Sequence, residues 1–251
     1  MSGHSKWSQI KRQKAANDAK RGQLYTKIGR EITVAVQDGG ADPTGNFRLE
    51  QALAKARAAN MPKDTIERSI QRGAGGGPGD GASLIELTYE AYGPAGVGLL
   101  IEVVTDNRNR AVAEVRNAVG SLGGRFADSG SVAWQFEARG SLAVAVGDAD
   151  PEEIELTAID AGALDVEAAN GTVHVSTPAA DLARMRRELS DAGYRITSAD
   201  LVHEPTTPMP LDAGQAARAM RMAEALEELD DVQRVYTTLE ISDELLAQLA
   251  S

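Results

Sequence analysis

Residues 73–81 have the sequence GAGGGPGDG, in which six of nine residues are glycine and one is proline. Such a stretch favours neither helix nor strand, because glycine loses the most conformational freedom on folding and proline lacks an amide hydrogen. Apolar residues recur at helical spacing before it and alternate at strand spacing after it. The run therefore separates two kinds of structure, and we expect a flexible domain boundary here.

The segment before this boundary has the pattern of a small helical bundle. Apolar residues recur every three or four positions over 24–38, and again over 47–60 and 63–72. Asp38-Gly39-Gly40 ends the first helix, and Asn60-Met61-Pro62 separates the second from the third. Gly29 lies inside the first predicted helix and makes it less stable by about 1 kcal/mol than alanine would.

The segment after the boundary begins with a hairpin. Residues 84–92 and 97–105 alternate apolar and polar side chains, and GPAG joins them. The pattern predicts a helix over 109–122 and a strand over 131–137. An α+β layer that begins with a hairpin, a helix and a strand needs one more helix and strand, which residues 84–137 do not contain.

Residues 141–204 form a unit of their own with the order βαββαβ, which is the ferredoxin-like arrangement. Asn170-Gly171 marks its central hairpin. A helix over 213–229 and a strand over 232–239 then supply the missing pair. The predicted fold is therefore α+β, an N-terminal helical bundle followed by two ferredoxin-like α+β domains, the third inserted into a discontinuous second. The expected boundaries are 1–75, 82–138 with 205–251, and 139–204.

Charge is strongly segregated along the chain. The 251 residues carry 26 Lys and Arg against 37 Asp and Glu, a net charge of −11. Residues 1–75 hold 14 basic and 7 acidic residues, a net charge of +7, and the remainder carries −18. All seven lysines lie at or before Lys63. Such asymmetry indicates a basic surface for a polyanion on a body that repels one elsewhere.

The first 30 residues form a basic arm with eight Lys and Arg and one acid. On a helical wheel its lysines share a side with Trp7, so the cationic face is its stronger chemical face. Trp7 offers a flat surface for an unpaired base, worth about 1–3 kcal/mol. Packing of Trp7 on the bundle is the equal alternative. A solvated charged face is the competing interpretation of the arm as a whole.

Several other classes of protein are disfavoured. The chain has no cysteine, which excludes disulfides, thiolate metal sites and a cysteine nucleophile. The three histidines, His4, His174 and His203, have no metal-ligand spacing. The glycine run lacks the GK[ST] of a phosphate-binding loop, and the acidic stretches lack a calcium-loop pattern. We expect no metal, no cofactor, no membrane span, no secretory signal and no small-molecule substrate.

Four motifs in the basic segments resemble the YebC/PmpR family, which includes the mitochondrial translational activator of cytochrome c oxidase. They are GHSKW at 3–7, DAKRG at 18–22, TKIGREI at 26–32 and ANMPKDTIER at 59–68. The stretches YGPAGVG at 92–98, TDNRNRAVAEVR at 105–116 and GGRF at 123–126 extend the resemblance over essentially the whole chain. Gly29 departs from it, since a larger aliphatic residue is expected there.

The resemblance implies a non-enzymatic factor in gene expression, with the three-domain fold given above. Members are described both as DNA-binding transcriptional regulators and as ribosome-associated translation factors that relieve stalling at proline-rich stretches. The implied nucleic-acid-binding set comprises His4, Lys6, Trp7, Lys11, Arg12, Lys14, Lys20, Arg21, Lys27 and Arg30, with Lys55, Arg57, Lys63 and Arg68 as a second tier on the bundle.

The physical chemistry of the arm favours the ribosome. A reader of the DNA major groove needs base-edge donors arranged on one recognition helix, which the short helices of 24–72 do not show. A thin cationic arm with one aromatic suits folded RNA, where phosphates and unstacked bases are the targets. The sequence predicts a cytoplasmic monomer that binds rRNA or tRNA, with promoter DNA as the alternative target. An enzyme and a pure scaffold are the weaker hypotheses.

Overall fold

The computed structural model describes residues 18–76, 83–242 and 245. Within these ranges the protein is mixed α+β, with helices first and two four-stranded antiparallel sheets after them. The predicted fold class is confirmed. The described chain divides into two compact units, of which residues 137–204 form one and the other described residues form the second. The bundle therefore belongs to the same unit as the first sheet. The predicted three-domain boundaries stay a prediction.

The N-terminal bundle consists of three helices, α1 (Asp18–Gly39), α2 (Phe47–Ala58) and α3 (Lys63–Gly73). Their apolar faces meet in one core that includes Ile32, Leu49 and Ala56, none of which is exposed. The sequence predicts that the first helix begins at residue 24, but α1 already includes Asp18, which lies inside the predicted basic arm.

Gly29 has a packing role on α1. A Cβ added there would lie 3.0 Å from the Ser69 hydroxyl oxygen on α3. Thr33, one turn further along, donates its hydroxyl to the Ser69 carbonyl at 3.1 Å and to the Gly29 carbonyl at 2.8 Å. Glycine lets the two helices approach closely, and this contact offsets its low helix propensity.

The first sheet has the strand order β3-β1-β2-β8, with antiparallel pairs throughout. Its strands are β1 (Ile85–Tyr92), β2 (Gly98–Thr105), β3 (Arg125–Ala127) and β8 (Val232–Thr237). Two helices pack on it, α4 (Arg108–Ser121) and α7 (Ala213–Glu227). The hairpin lies where the sequence predicts it, and the late helix and strand complete the layer as expected.

The second sheet lies in the 137–204 unit and has the order β5-β6-β4-β7. Its elements are β4 (Phe136–Ala145), α5 (Pro151–Asp160), β5 (Asp165–Ala169), β6 (Thr172–Pro178), α6 (Leu182–Asp191) and β7 (Arg195–Pro205). This is the predicted ferredoxin-like order. Asn170 and Gly171 form the tight hairpin with φ of 51° and 74°, as the sequence indicated.

One predicted strand, 131–137, is wrong. The edge strand β3 lies earlier in the chain, residues 133–135 form a short 3-10 turn, and β4 begins at Phe136. The apolar residues Val132, Trp134 and Phe136 alternate as they would in a strand. However, the Glu90 carboxylate accepts hydrogen bonds from the N–H groups of Val132 and Ala133, so these amides are not available to a sheet.

Candidate nucleic-acid interface

The structure describes only part of the predicted nucleic-acid-binding set. The predicted residues that lie outside the described part are His4, Lys6, Trp7, Lys11, Arg12 and Lys14. Lys20 lies on α1, but its side chain is also outside the described part. The structure places Arg21, Lys27, Arg30, Lys55, Arg57, Lys63 and Arg68.

Four of the placed cations are exposed on the bundle. Arg21 lies in the first turns of α1 and Arg57 near the end of α2. Lys63 and Arg68 lie on α3, where the Lys63 side chain is 88% exposed and reaches Glu67 only at 3.5 Å. Exposed cations of this kind can contact phosphates without losing a buried partner. Arg72, in the last turn of α3, is a further exposed cation that sequence reasoning missed.

The other three placed cations already have protein partners. Lys55 pairs with Glu31 at 2.8 Å. Lys27 donates to the Glu227 carbonyl at 2.5 Å, and Arg30 donates to the Asp230 carbonyl. Since α7 ends at Glu227, these two side chains lie at its C-terminal end, where the helix dipole favours positive charge.

Asp231 completes this contact between α1 and the first sheet. Its side chain is 3% exposed and pairs with Arg30 at 2.7 Å and Arg110 at 2.9 Å. Thr105 also donates its hydroxyl to this carboxylate at 2.8 Å. Burial opposes ionisation of Asp231, but the hydrogen bonds from Arg110 and Thr105 and the charge of Arg30 outweigh it, so its pKa lies below the ordinary value.

The geometry thus divides the predicted cations into two groups. Arg21, Arg57, Lys63 and Arg68 face solvent, whereas Lys27, Arg30 and Lys55 stabilise the packing of the bundle. Lysine and arginine counts show where positive charge lies in the chain. They do not show which cations are used internally, because the partners of Lys27 and Arg30 are about 200 residues away in sequence.

In residues 18–76, 83–242 and 245 no group of three or more acidic or histidine side chains is arranged to hold a metal ion. Over the same ranges no helix has both the length and the apolarity needed to cross a bilayer.

Comparison with known families covers both parts of the chain. A family model described as "TACO1/YebC protein N-terminal domain" matches residues 5–76, and one described as "TACO1/YebC second and third domain" matches residues 84–239. The chain belongs to the TACO1/YebC family. The resemblance found in the four basic motifs is confirmed, and the gap between the two matches falls on the glycine-rich run.

Two relatives are similar to the chain over nearly all of its length. A protein of Roseiflexus castenholzii is 49% identical over 254 residues and covers 100% of both chains. One from Thermomicrobium roseum is 49% identical over 237 residues, 94% of this chain and 95% of its own. Both are named "Probable transcriptional regulatory protein".

A solved structure supports the same assignment. The crystal structure of a conserved hypothetical protein from Aquifex aeolicus is 38% identical in sequence and superposes with a TM-score of 0.83. The match covers 91% of this chain and 94% of that one.

Proposed function

We propose that this TACO1/YebC family member is a non-enzymatic, nucleic-acid-binding regulator of gene expression that engages its target through residues 1–75. The observation that carries the proposal is the charge segregation, +7 on residues 1–75 against −18 on the rest. The acidic remainder carries a net charge that disfavours a polyanion, so the basic end is the part of the chain best suited to engage one first. The exposed cations Arg57, Lys63, Arg68 and Arg72 extend that basic end onto the bundle.

Promoter DNA is the target that the relatives' names support. The Roseiflexus and Thermomicrobium proteins are named probable transcriptional regulatory proteins. The relatives' names therefore favour a role in transcription over the role on the ribosome that the chemistry of the basic arm favours. For DNA, the exposed side chains of α2 and α3 would supply phosphate contacts, and sequence preference would have to come from base edges or from the shape of the duplex.

Folded RNA on the ribosome is the second candidate, and the chemistry of the arm supports it. Arginine and lysine side chains around a single tryptophan suit phosphates and unstacked bases of RNA. In this form of the proposal the protein binds rRNA or tRNA and relieves stalling, notably at proline-rich stretches. No cofactor, metal, membrane or small-molecule substrate is part of either form, and the proposed state is a cytoplasmic monomer.

The experiment that tests the shared part is charge reversal in the arm. The variant Lys6→Glu, Lys11→Glu, Lys14→Glu changes the charge by the same amount as Arg187→Glu, Arg195→Glu, Arg221→Glu, in which all three original side chains are exposed. Only the arm variant is expected to lose binding to nucleic acid. The proposal would be refuted if both variants lost binding to nucleic acid equally, or if neither variant lost it.

Two assays on the same variants then separate the targets. A transcriptional regulator would prefer one promoter over scrambled DNA by several kcal/mol in a gel shift with competitor. A ribosome-associated factor would co-sediment with ribosomes, and the arm variant would not. Ribosome profiling with and without the protein adds the functional readout, since pauses at particular codons are expected only in the translational case.

A further inference from the structure

An exposed tryptophan lies far from the basic arm in sequence. Trp134 is 72% exposed, more than any other large hydrophobic side chain in the described part of the protein. A single exposed apolar residue is ordinary on a protein surface. The surroundings of Trp134 are not ordinary, because they hold the ring in one place.

Hydrogen bonds fix the ring and its neighbour. The Trp134 indole N–H donates to the Ser131 carbonyl oxygen at 3.0 Å, and the Tyr92 hydroxyl donates to the same oxygen at 2.8 Å. Because both donors reach one atom, the polar edges of the indole and the phenol lie side by side. An exposed ring would otherwise sample several rotamers.

The loop that carries Ser131 and Trp134 is held in place by hydrogen bonds to the Glu90 side chain. The buried Glu90 carboxylate accepts hydrogen bonds from the N–H groups of Gly130 at 2.6 Å, Val132 at 2.5 Å and Ala133 at 2.9 Å. Val132 is fully buried over Gly98, where an added Cβ would approach it to 2.8 Å. The ring is therefore ordered on folding, and a ligand would not have to order it.

A cation completes the surface. The Arg125 guanidinium lies 5.1 Å from the centre of the Tyr92 ring and is exposed. Among the described residues the structure records no ion pair for Arg125, so its charge is available to a ligand. We call the surface formed by Trp134, Tyr92 and Arg125 the Trp134 platform.

We propose that the Trp134 platform binds an unpaired nucleobase, stacked on the Trp134 indole, with a neighbouring phosphate on the Arg125 guanidinium. Every base has a flat π-face, so stacking on an aromatic side chain is tolerant of sequence, and arginine adds charge beside it. The guanidinium fork also fits phosphate oxygens in a bidentate way. The inference rests on the proposed function in taking the ligand to be nucleic acid, and it adds a second contact on the first sheet.

A peptide is the less favoured occupant. The adjacent edge strand β3 is only three residues long, which gives little backbone for an added peptide strand. The Arg125 guanidinium over the neighbouring Tyr92 ring instead matches a ligand that carries negative charge at short, regular spacing, as a nucleic-acid strand does.

The test uses the tryptophan itself as the probe. The chain has two tryptophans, so Trp7→Phe leaves Trp134 as the single one. Titration of that variant with a short oligouridine strand is expected to quench its fluorescence in a saturable way. An abasic strand of the same length and charge is expected to bind more weakly without quenching, because it carries no base to stack.

Two substitutions measure the contributions in the wild-type chain. Trp134→Ala is expected to raise the Kd for oligouridine by roughly five- to one-hundred-fold, the range found when a base-stacking aromatic is removed. Arg125→Gln is expected to raise the Kd and to lower the salt slope by about one. The control Leu122→Ala removes an exposed apolar side chain outside the platform and should leave the Kd unchanged.

Three results would overturn the inference. They are an unchanged Kd in a folded Trp134→Ala variant, equal quenching by the abasic strand, and saturable quenching by a peptide in place of the oligonucleotide. If Trp134→Ala binds normally while the arm variant does not, the platform is refuted and the proposed function stands. If the wild-type chain binds neither RNA nor DNA, both are refuted.

Discussion

At the scale of single residues, Asp231 connects the bundle to the first sheet. Its buried carboxylate receives Arg30 from α1, Arg110 from α4 and the Thr105 hydroxyl from β2. A buried carboxylate is stable only when such partners replace the water that it has lost. The network explains why Arg30 faces protein in this structure and not a ligand.

The variant Asp231→Asn is expected to lower the free energy of unfolding by about 2–3 kcal/mol, because it removes the charge that two arginines share. Urea unfolding measures this difference. Asp230→Asn is the matched control, since the neighbouring side chain is exposed, and its effect should stay within about 0.5 kcal/mol. A loss as small for Asp231→Asn as for the control would contradict the account of the network.

Glu90 predicts a dependence on pH at the same scale. Burial of its carboxylate opposes ionisation, but hydrogen bonds from the N–H groups of Gly130, Val132 and Ala133 outweigh burial, so its pKa is lowered. A lowered folded pKa gives stabilisation that is complete above the unfolded pKa of about 4.3 and is lost as the pH falls through the folded pKa.

Acidification should therefore release the loop that carries Trp134. In the Trp7→Phe background, the emission of Trp134 is expected to change at a pH below the ordinary glutamate value. Glu90→Gln should shift that emission already at neutral pH and lower the stability by about 1–3 kcal/mol. The exposed Asp128→Asn on the same loop is the control, and the prediction fails if the two variants behave alike.

At the scale of elements, Asn46 joins α1 to α2. Its side-chain oxygen accepts the Leu49 N–H at 3.0 Å and caps α2, while its amide donates to the carbonyls of Ala35 at 2.6 Å and Gly40 at 2.8 Å. One buried side chain thus satisfies backbone groups at the end of one helix and the start of the next.

Asn46→Ala is expected to lower the free energy of unfolding by about 2–3 kcal/mol, because it removes a cap and leaves buried carbonyls without a donor. The comparison is Asp212→Ala at the start of α7, where the side chain of an exposed aspartate caps the helix by accepting the Gln215 N–H at 2.8 Å. That loss should be about 1 kcal/mol. Equal losses would mean that the link between the helices adds nothing.

The elements show which features the sequence predicts well. The 84–105 hairpin, the βαββαβ order and the Asn170-Gly171 turn follow from spacing and turn residues close together in the chain. The strand predicted over 131–137 does not form, because the Glu90 carboxylate binds the backbone N–H groups of this segment. Glu90 lies 40 or more residues earlier in the chain. Local periodicity contains no information on such a distant acceptor.

At the scale of the whole molecule, charge segregation is the basis of the functional proposal. The sequence identified the basic segment and the family, and the family models confirm the family. It did not identify which cations serve packing, since the partners of Lys27 and Arg30 lie about 200 residues away in the chain. The Trp134 platform was also missed, because its members come from three separate stretches of the chain: β1, β3 and the turn at residues 133–135.

The salt dependence of binding tests the central claim most directly. The affinity for labelled single-stranded RNA and duplex DNA is measured over a range of salt, and the logarithm of affinity is plotted against the logarithm of salt concentration. The Lys6, Lys11, Lys14 to Glu variant should reduce the slope by about two to three, since each lost phosphate contact removes about 0.7–0.9. The Arg187, Arg195, Arg221 to Glu variant should keep the wild-type slope. Equal slopes for wild type and the arm variant would contradict binding through the basic end.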